Sequence, residues 1–464
     1  MSQPLQSKPK VTPGHALPMV EFLLNLQTCN DLPLLQLAKG CFIDALGCGL
    51  FGAQQPWGLI MREEALHDQS QGDCTLLGHG QTVSASLAAL CNGTAIHGFE
   101  LDDLLSEAVI HPGAVIVPVV LAVAEAVNAS GKDMLRGIIA GYEATARISL
   151  ALGMAPSLQG FHKTSVVGPV AGAIAASVTM KLNLEQPLCA IGLACSCSSG
   201  IKNFSAGTGG VMVKRMHAGH AAESAVRISM LAKRGFTAPS TALDGHFGLL
   251  DVYSAQHARP ELLDQNLGHQ WALQDVWVKV YPVCGWIQGV AQLLTEMRAR
   301  LNFDVAQIAK VVVATSSFAK QHNSNPLVSD TMEAQYSIPS CVAVSLTADP
   351  CNPAEFDTVR LKDPARFALA QKVEVLADPD ADKVYPKQFA CKVSVHLNSG
   401  EIHQAQTQDP LGTCGNPLNE TQKMNKFIQL ANCSGLQTPT AHMAKSLENL
   451  STLDSIRDLM RLCR

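Results

Sequence analysis

The chain has 464 residues, 47% of them hydrophobic and only 5% aromatic, with a formal net charge of −5. That length exceeds one compact core, so two domains are expected, packed by aliphatic and small residues in close helix contacts. The mildly acidic balance, without a long basic run or basic–aromatic interleaving, argues against nucleic acid as a partner.

Residues 1–18 carry two lysines, no arginine and no apolar run. They are expected to form a disordered tail, neither a secretory nor a mitochondrial leader. From Pro18 to Arg234 the pattern is helical. Leu23, Leu24, Leu26, Leu34, Leu35 and Leu37 open it. Ala85–Leu90, Ile116–Val127 and Met134–Leu152 continue it with apolar residues three and four apart, and Gly and Pro mark the joins. Strand-like alternation is not evident, so residues 19–270 are expected to begin an all-α domain. Two long runs lack charge. Cys74–Phe99 is broken by polar residues and cannot span a bilayer. Thr164–Met180, with Gly168, Pro169 and Gly172, reads as a buried core helix. No membrane partner is expected.

The character changes near Trp271. Val311–Val313 and Val373–Val375 predict short strands. Lys392–His403 alternates about Asn398-Ser399-Gly400, a hairpin signal. Glu333–Ala348 reads as a helix, making residues 271–412 a smaller α+β domain. Helical pattern resumes after Pro417 through Leu462, with Leu447, Leu450 and Leu453 on one side. Residues 413–464 are expected to return to the first domain. The fold class is therefore mainly α. The fifteen cysteines are diluted over a long chain without a signal peptide, which predicts reduced thiols and a cytoplasmic location.

The candidate chemistry begins at His97-Gly-Phe-Glu100-Leu-Asp102-Asp103 and His111-Pro112-Gly113. Acidic residues are rarely buried without partners, so Glu100, Asp102 and Asp103 are expected on a cleft wall. His162, Lys214 and Lys279 are the expected complement. The alternative is a helix-terminal cluster making structural hydrogen bonds. No EF-hand loop or second acidic cluster accompanies it, so no metal is expected.

Proline biases His111 away from helix. Its apolar flanks, Ala108–Ile110 and Ala114–Val117, place it in a wall where an imidazole does acid–base work; otherwise it is a surface turn. His162 opens the small-residue helix, whose amino end favours an anion, with Thr164 and Ser165 offering hydroxyls. The alternative is a Thr/Ser cap beside an incidental histidine. Lys214 follows Gly207-Thr208-Gly209-Gly210, which resembles a phosphate loop only loosely. Its plain alternative is a solvated lysine. His217 and His220 read as capping or packing residues, and Cys195-Ser-Cys197 as core thiols. Lys279 and Cys284 lie in Lys279-Val-Tyr-Pro-Val-Cys-Gly near the domain boundary, a favoured place for ligands. No Cys–His pair is readable, so covalent catalysis is not expected.

Taken in order, several stretches resemble the MmgE/PrpD family. They are His97-Gly-Phe-Glu-Leu-Asp-Asp, His111-Pro-Gly-Ala-Val-Ile-Val-Pro, Gly141-Tyr-Glu, Gly160-Phe-His162, Val213-Lys-Arg-Met-His-Ala-Gly, Arg234-Gly-Phe-Thr, Lys279-Val-Tyr-Pro-Val-Cys-Gly and Ala334-Gln-Tyr336-Ser. The resemblance covers nearly the whole chain. It implies a large helical domain built from both chain ends, a smaller α+β lid domain, a homodimer, and no metal or organic cofactor. Family activities include 2-methylcitrate dehydratase, cis-aconitate decarboxylase and iminodisuccinate epimerase. The pattern is most similar to fungal decarboxylase-like members.

By motif, the family's first acidic site position falls on Glu100, its histidines on His111 and His162, and its lysines on Lys214 and Lys279. A family threonine is replaced by Leu104. A catalytic histidine of the animal form falls on Cys284, and a histidine four residues later in many fungal-type relatives falls on Gln288. The expected function is a cofactor-independent lyase acting on a di- or tricarboxylate. His111, His162, Glu100, Asp102 and Asp103 would be catalytic, and Lys214, Lys279, Thr164 and Cys284 would contact substrate. The alternative is a dehydratase of 2-methylcitrate or a longer alkylcitrate, for which Leu104 and Gln288 would leave room for an alkyl tail.

Overall fold

The computed structural model describes residues 14–68, 71–205, 212–301 and 304–464. Most of the expected tail, and the Gly207–Gly210 stretch, lie outside these. The described end of the tail is not a tail: a helix begins at Ala16, and Ala16 and Met19 are buried. Methionine and valine in that turn bury against the core and hold it.

The first part of the chain is a helical bundle. Its principal helices are Leu32–Gly52, Ala85–His97, Gly113–Val127, Gly131–Leu152, Lys163–Thr179 and Val213–Lys233. The Lys163–Thr179 helix is buried along its whole length, as its composition predicts. Leu32–Gly52 is long and apolar enough to cross a membrane by length and composition, but most of it is buried inside the protein.

Small residues set the crossing that matters most. A Cβ on Gly93 would stand 2.8 Å from Cα of Gly219, and one on Gly219 would stand 2.2 Å from the carbonyl oxygen of Leu90. Backbones this close admit only glycine. The crossing brings the carboxyl end of the Ala85–His97 helix to the amino end of Val213–Lys233.

This part is helical as expected, with two short strand pairs added. Cys74–Thr75 pairs with Thr82–Val83, and Leu104–Leu105 pairs with Val276–Trp277, both antiparallel. Two-residue strands are too short to show alternation. The second pair ties the segment after Asp103 to the segment before Lys279.

A four-stranded sheet follows. Its order is Val373–Ala377, Ile308–Thr315, Cys391–Leu397, Ile402–Thr407, with the first pair parallel and the others antiparallel. Ile308, Val311 and Val313 share a buried face with Cys391, Val393 and Val395, and helices Gln288–Leu301 and Ile338–Thr347 pack there. The helix expected over Glu333–Ala348 is broken into Thr331–Gln335 and Ile338–Thr347. Ser337 accepts from the backbone N–H of Ser340 and Pro339 sits in the first turn, so a new helix starts there.

Helices Glu420–Asn432 and Thr440–Glu448 return to the bundle. Lys426 of the first donates to Asp44 at 2.6 Å and to the carbonyl of Leu101 at 2.8 Å. All fifteen cysteines are unpaired. Cys197 is exposed and Cys195 half-buried, so this pair is not the core thiol pair expected.

Candidate active site

The segment after the Ala85–His97 helix turns sharply. Glu100 has φ +57°, a left-handed conformation that a residue with a side chain rarely adopts. Three chain segments hold it there. Phe99 gives its carbonyl to Gln335 Nε2 at 2.9 Å, and Leu101 gives its carbonyl to Lys426. Arg215 donates to the carbonyl of Gly98 at 2.9 Å, its guanidinium lying over the Trp57 ring.

The buried Glu100 carboxylate meets both expected lysines. One oxygen bonds Lys214 Nζ and the other lies 3.1 Å from Lys279 Nζ. Burial pushes this carboxyl up, but the two ammonium groups hold it well below the usual range. Lys279 is raised in turn: burial acts to lower it, and Glu100 and Asp102 overcome that. Lys214 also donates to the Tyr336 hydroxyl at 2.8 Å. Tyr336 comes from the break between the two helices of the α+β part, so the site is closed from both sides of the chain.

Asp102 serves two imidazoles. Its Oδ2 is 2.6 Å from His97 Nδ1 and 3.4 Å from His111 Nδ1. His111 Nδ1 also lies 2.8 Å from the carbonyl oxygen of Asp103, which only accepts. That nitrogen therefore carries the proton, and Nε2 is the one that meets a ligand. Burial presses His111 down to about 3, against the pull of Asp102. Two buried polar atoms of this group, His97 Nε2 and Asp102 Oδ1, have no partner among the described residues. An unsatisfied buried polar atom is costly, and a bound molecule or water would relieve it.

Asp103 lies differently from the other acids. Its Oδ1 accepts from the backbone N–H of Gly113 at 2.8 Å and its Oδ2 from the Tyr142 hydroxyl at 2.5 Å. Burial and the Asp44 charge push it up to about 7. It anchors the amino end of the Gly113–Val127 helix and presents its carbonyl to His111. Thr164 is likewise tied: its hydroxyl accepts from the backbone N–H of His111 at 3.3 Å. Both residues hold His111 in place. Cys284 is buried, and burial with the Glu100 charge pushes its thiol up to about 11, which leaves it protonated.

His162 is the cap residue of its helix: its carbonyl accepts from the N–H groups of Ser165 and Val166, and its side chain makes no capping bond. Its ring stacks on His97 with centroids 5.8 Å apart, and its Nδ1 is 3.0 Å from Nδ1 of His217. His217 therefore belongs to the site and is not a packing residue. His220, the other half of that predicted pair, faces Glu223 at 3.7 Å on the surface.

Gln288 corrects a second expectation. It is buried, and all its hydrogen-bonding capacity goes to the Lys279–Cys284 loop. Its Oε1 accepts from the N–H groups of Val280 and Tyr281, and its Nε2 donates to the carbonyls of Tyr281 and Val283. It holds the loop and makes no room for a substrate tail. Leu104 does stand at an apolar wall: a Cβ on Gly285 would lie 3.3 Å from Leu104 Cδ2 and 3.1 Å from Phe389.

The structure thus gathers Glu100, Asp102, His111, His162, Lys214, Lys279 and Cys284 around one centre, with Asp103 and Thr164 supporting it. Of the acidic triplet, only Asp102 joins a group with converging ligand atoms, those of His97, Asp102 and His111 lying within 4.8 Å of one another. Glu100 is taken by lysines, Asp103 by Tyr142 and Gly113, and the ammonium groups oppose a further cation. The residues not singled out beforehand are His97, His217, Gln335 and Tyr336. His97 headed the first motif, and Gln335 and Tyr336 lay inside the last, so position in the pattern was their signal.

Comparison with known proteins adds to this geometry. The model of the MmgE/PrpD N-terminal domain matches residues 19–261, and that of the MmgE/PrpD C-terminal domain matches residues 281–451. The cis-aconitate decarboxylase of Aspergillus terreus (strain NIH 2624 / FGSC A1156) is 28% identical, over 94% of this chain and 93% of its own length. The cis-aconitate decarboxylase-like protein oryM of Aspergillus oryzae is 26% identical, over 93% of this chain and 94% of its own. The cis-aconitate decarboxylase of Mus musculus is 26% identical, over 93% of this chain and 89% of its own.

Proposed function

The chain belongs to the MmgE/PrpD family, and from that premise we propose a cofactor-independent lyase that acts on a polycarboxylate. Cis-aconitate is the leading substrate, by similarity to relatives that carry its name. One observation supports this most: two buried ammonium groups face a histidine and carboxylate cluster that contains unpartnered polar atoms.

In this proposal Lys214 and Lys279 anchor substrate carboxylates. Their attraction is far stronger in a closed, partly dry site than in water. Glu100 orders the two lysines when no substrate is bound, and a polyanion competes with it for them. Loss of carbon dioxide breaks a carbon–carbon bond and leaves the electron pair on carbon. A proton then forms the new carbon–hydrogen bond. His111 Nε2 is the proposed donor. Burial keeps His111 neutral in the empty site, and substrate carboxylates with Asp102 favour its charged form. His162 adds a hydrogen bond to the substrate.

A dehydratase of 2-methylcitrate or a longer alkylcitrate is the second reading. The apolar wall of Leu104 and Phe389 favours it, since an alkyl group would pack there. Incubating pure protein with cis-aconitate, trans-aconitate, 2-methylcitrate and alkylcitrates decides between them by product mass. Loss of carbon dioxide supports the first reading and loss of water the second. Proton exchange without loss of mass means an epimerase. Binding without turnover means a non-catalytic relative.

The division of the chain belongs to the proposal as well. Residues 19–270 and 413–464 would be the body, and 271–412 the lid. The assembly would be a homodimer. Exposed Leu158, Ile201 and Val252 support it, lying around the Phe161–Tyr253 ring contact, and grouped exposed apolar residues commonly mark interfaces. Light scattering giving a monomer mass would remove that part. Fifteen unpaired cysteines suit a cytoplasmic setting.

A further inference from the structure

His162 and His217 face each other through the same ring nitrogen, Nδ1 to Nδ1 at 3.0 Å. Only one of those two atoms can carry a proton: two protons would collide, and two lone pairs would repel. The bond therefore couples the tautomers of the rings. The single polar atom left on each ring is Nε2.

The surroundings fix the direction. His97, His111 and Lys214 lie around His162 together with His217. His97, Lys214 and the exposed His220 face His217, while Phe204 packs edge-on against both rings. Burial, with the Lys214 ammonium adding to it, holds both imidazoles below their ordinary range, His217 to about 4, so the pair is neutral and shares one bridging proton. A carboxylate substrate requires a donor from His162, so His162 must carry its own proton on Nε2. Its Nδ1 is then the acceptor, and His217 must be the donor.

We propose that His217 is a positioning residue: it donates its Nδ1 proton to His162, fixes His162 as the Nε2–H tautomer, and with it forms the route that returns protons to the site. The inference rests on the lyase reading for its chemical need. Decarboxylation of a carboxylate consumes one proton per turnover: the carbon–carbon bond breaks, carbon dioxide leaves, and the retained pair takes up a proton. A proton arriving at Nε2 of His217 moves its Nδ1 proton to His162, and His162 releases its Nε2 proton into the site. Two bonds to hydrogen form and two break, with no net charge left on either ring. Both rings end as the opposite tautomer. After product leaves, the pair resets when His162 takes a proton from water at Nε2, returns its Nδ1 proton to His217, and His217 gives up its Nε2 proton.

The test uses His217→Gln, which keeps one hydrogen bond to His162 but cannot relay a proton, and His217→Phe, which keeps only the ring shape. Nitrogen-15 NMR of the substrate-free wild type, assigned with His162→Gln, is expected to show His162 protonated on Nε2 and accepting on Nδ1. In His217→Phe that preference should be lost. With cis-aconitate, His217→Gln is expected to lose about tenfold or more in kcat with KM changed by less than about twofold, and added imidazole buffer should restore kcat. A wild-type His162 protonated on Nδ1 overturns the proposal. So does a His217→Gln enzyme with full kcat and no response to buffer. The two readings fail separately: a wild type that turns over none of the acids sinks the lyase reading, while the tautomer measurement still decides the histidine pair.

Discussion

Gln288 grips both backbone polar groups of Tyr281. Tyr281 N–H donates to Gln288 Oε1 at 3.1 Å, and Gln288 Nε2 donates to the Tyr281 carbonyl at 2.7 Å. One amide side chain thus replaces a strand partner for the loop that carries Lys279. Gln288→Leu would leave the Tyr281 N–H without its partner and its carbonyl with the Val283 N–H alone. It is expected to lower stability by about 2–4 kcal/mol, by the usual cost of such groups. KM should rise, because Lys279 loses its fixed place. Urea unfolding and steady-state kinetics check both. An unchanged KM would separate the loop from substrate binding.

Glu100→Gln removes the anion shared by two buried ammonium groups. Breaking such a pair costs about 3–5 kcal/mol. The melting temperature of the free protein should fall. Cis-aconitate should then raise it by more than in wild type, because its carboxylates replace the missing charge. Thermal unfolding with and without the acid tests this. An equal rise in both proteins means the lysines do not anchor the substrate.

His111→Ala should fold normally, since Asp103 and Thr164 retain other packing, and lose about a hundred- to ten-thousand-fold in kcat. Circular dichroism and a product assay measure the two parts. Near-native turnover would take the proton-donor role from His111.

Lys163 gives a pH signature. It is buried between the carbonyls of Ala108 and Ser149, at 2.7 Å and 3.0 Å, and burial presses it down to about 7. The folded state therefore holds fewer protons at this site than the unfolded chain between pH 7 and about 10.4. Stability from this group rises with pH across that window, by up to about 1.4 kcal/mol per unit. Lys163→Met should remove that rise. Urea unfolding of both proteins at pH 7 and pH 9 measures it, and parallel curves would contradict it.

The site was legible where side chains meet side chains of opposite character. Glu100 with Lys214 and Lys279, and Asp102 with His111, follow from charges that need partners once buried. Gln288 was not legible, because its partners are backbone groups that no pattern of residue types reveals. The His162–His217 pair was not legible either, since it depends on how the Lys163–Thr179 helix packs on Val213–Lys233, where Gly168 faces Ala221 and Gly172 faces Ala225. Helices long enough to repeat their pattern were readable, as in Gly131–Leu152. The two-residue strands at Leu104 and Val276 were not, although they join the two halves of the site.

The conformation of residue 100 makes a demand opposed to its charge. A left-handed backbone suits glycine, asparagine or aspartate better than glutamate. Aspartate would relax the turn, yet its carboxylate would stop one carbon short of the two ammonium groups. Glutamate reaches them and keeps the backbone under tension. Evolution at this position therefore trades reach against ease of folding, and a change there should appear together with changes in Gln335 or Lys426, which pin the flanking carbonyls.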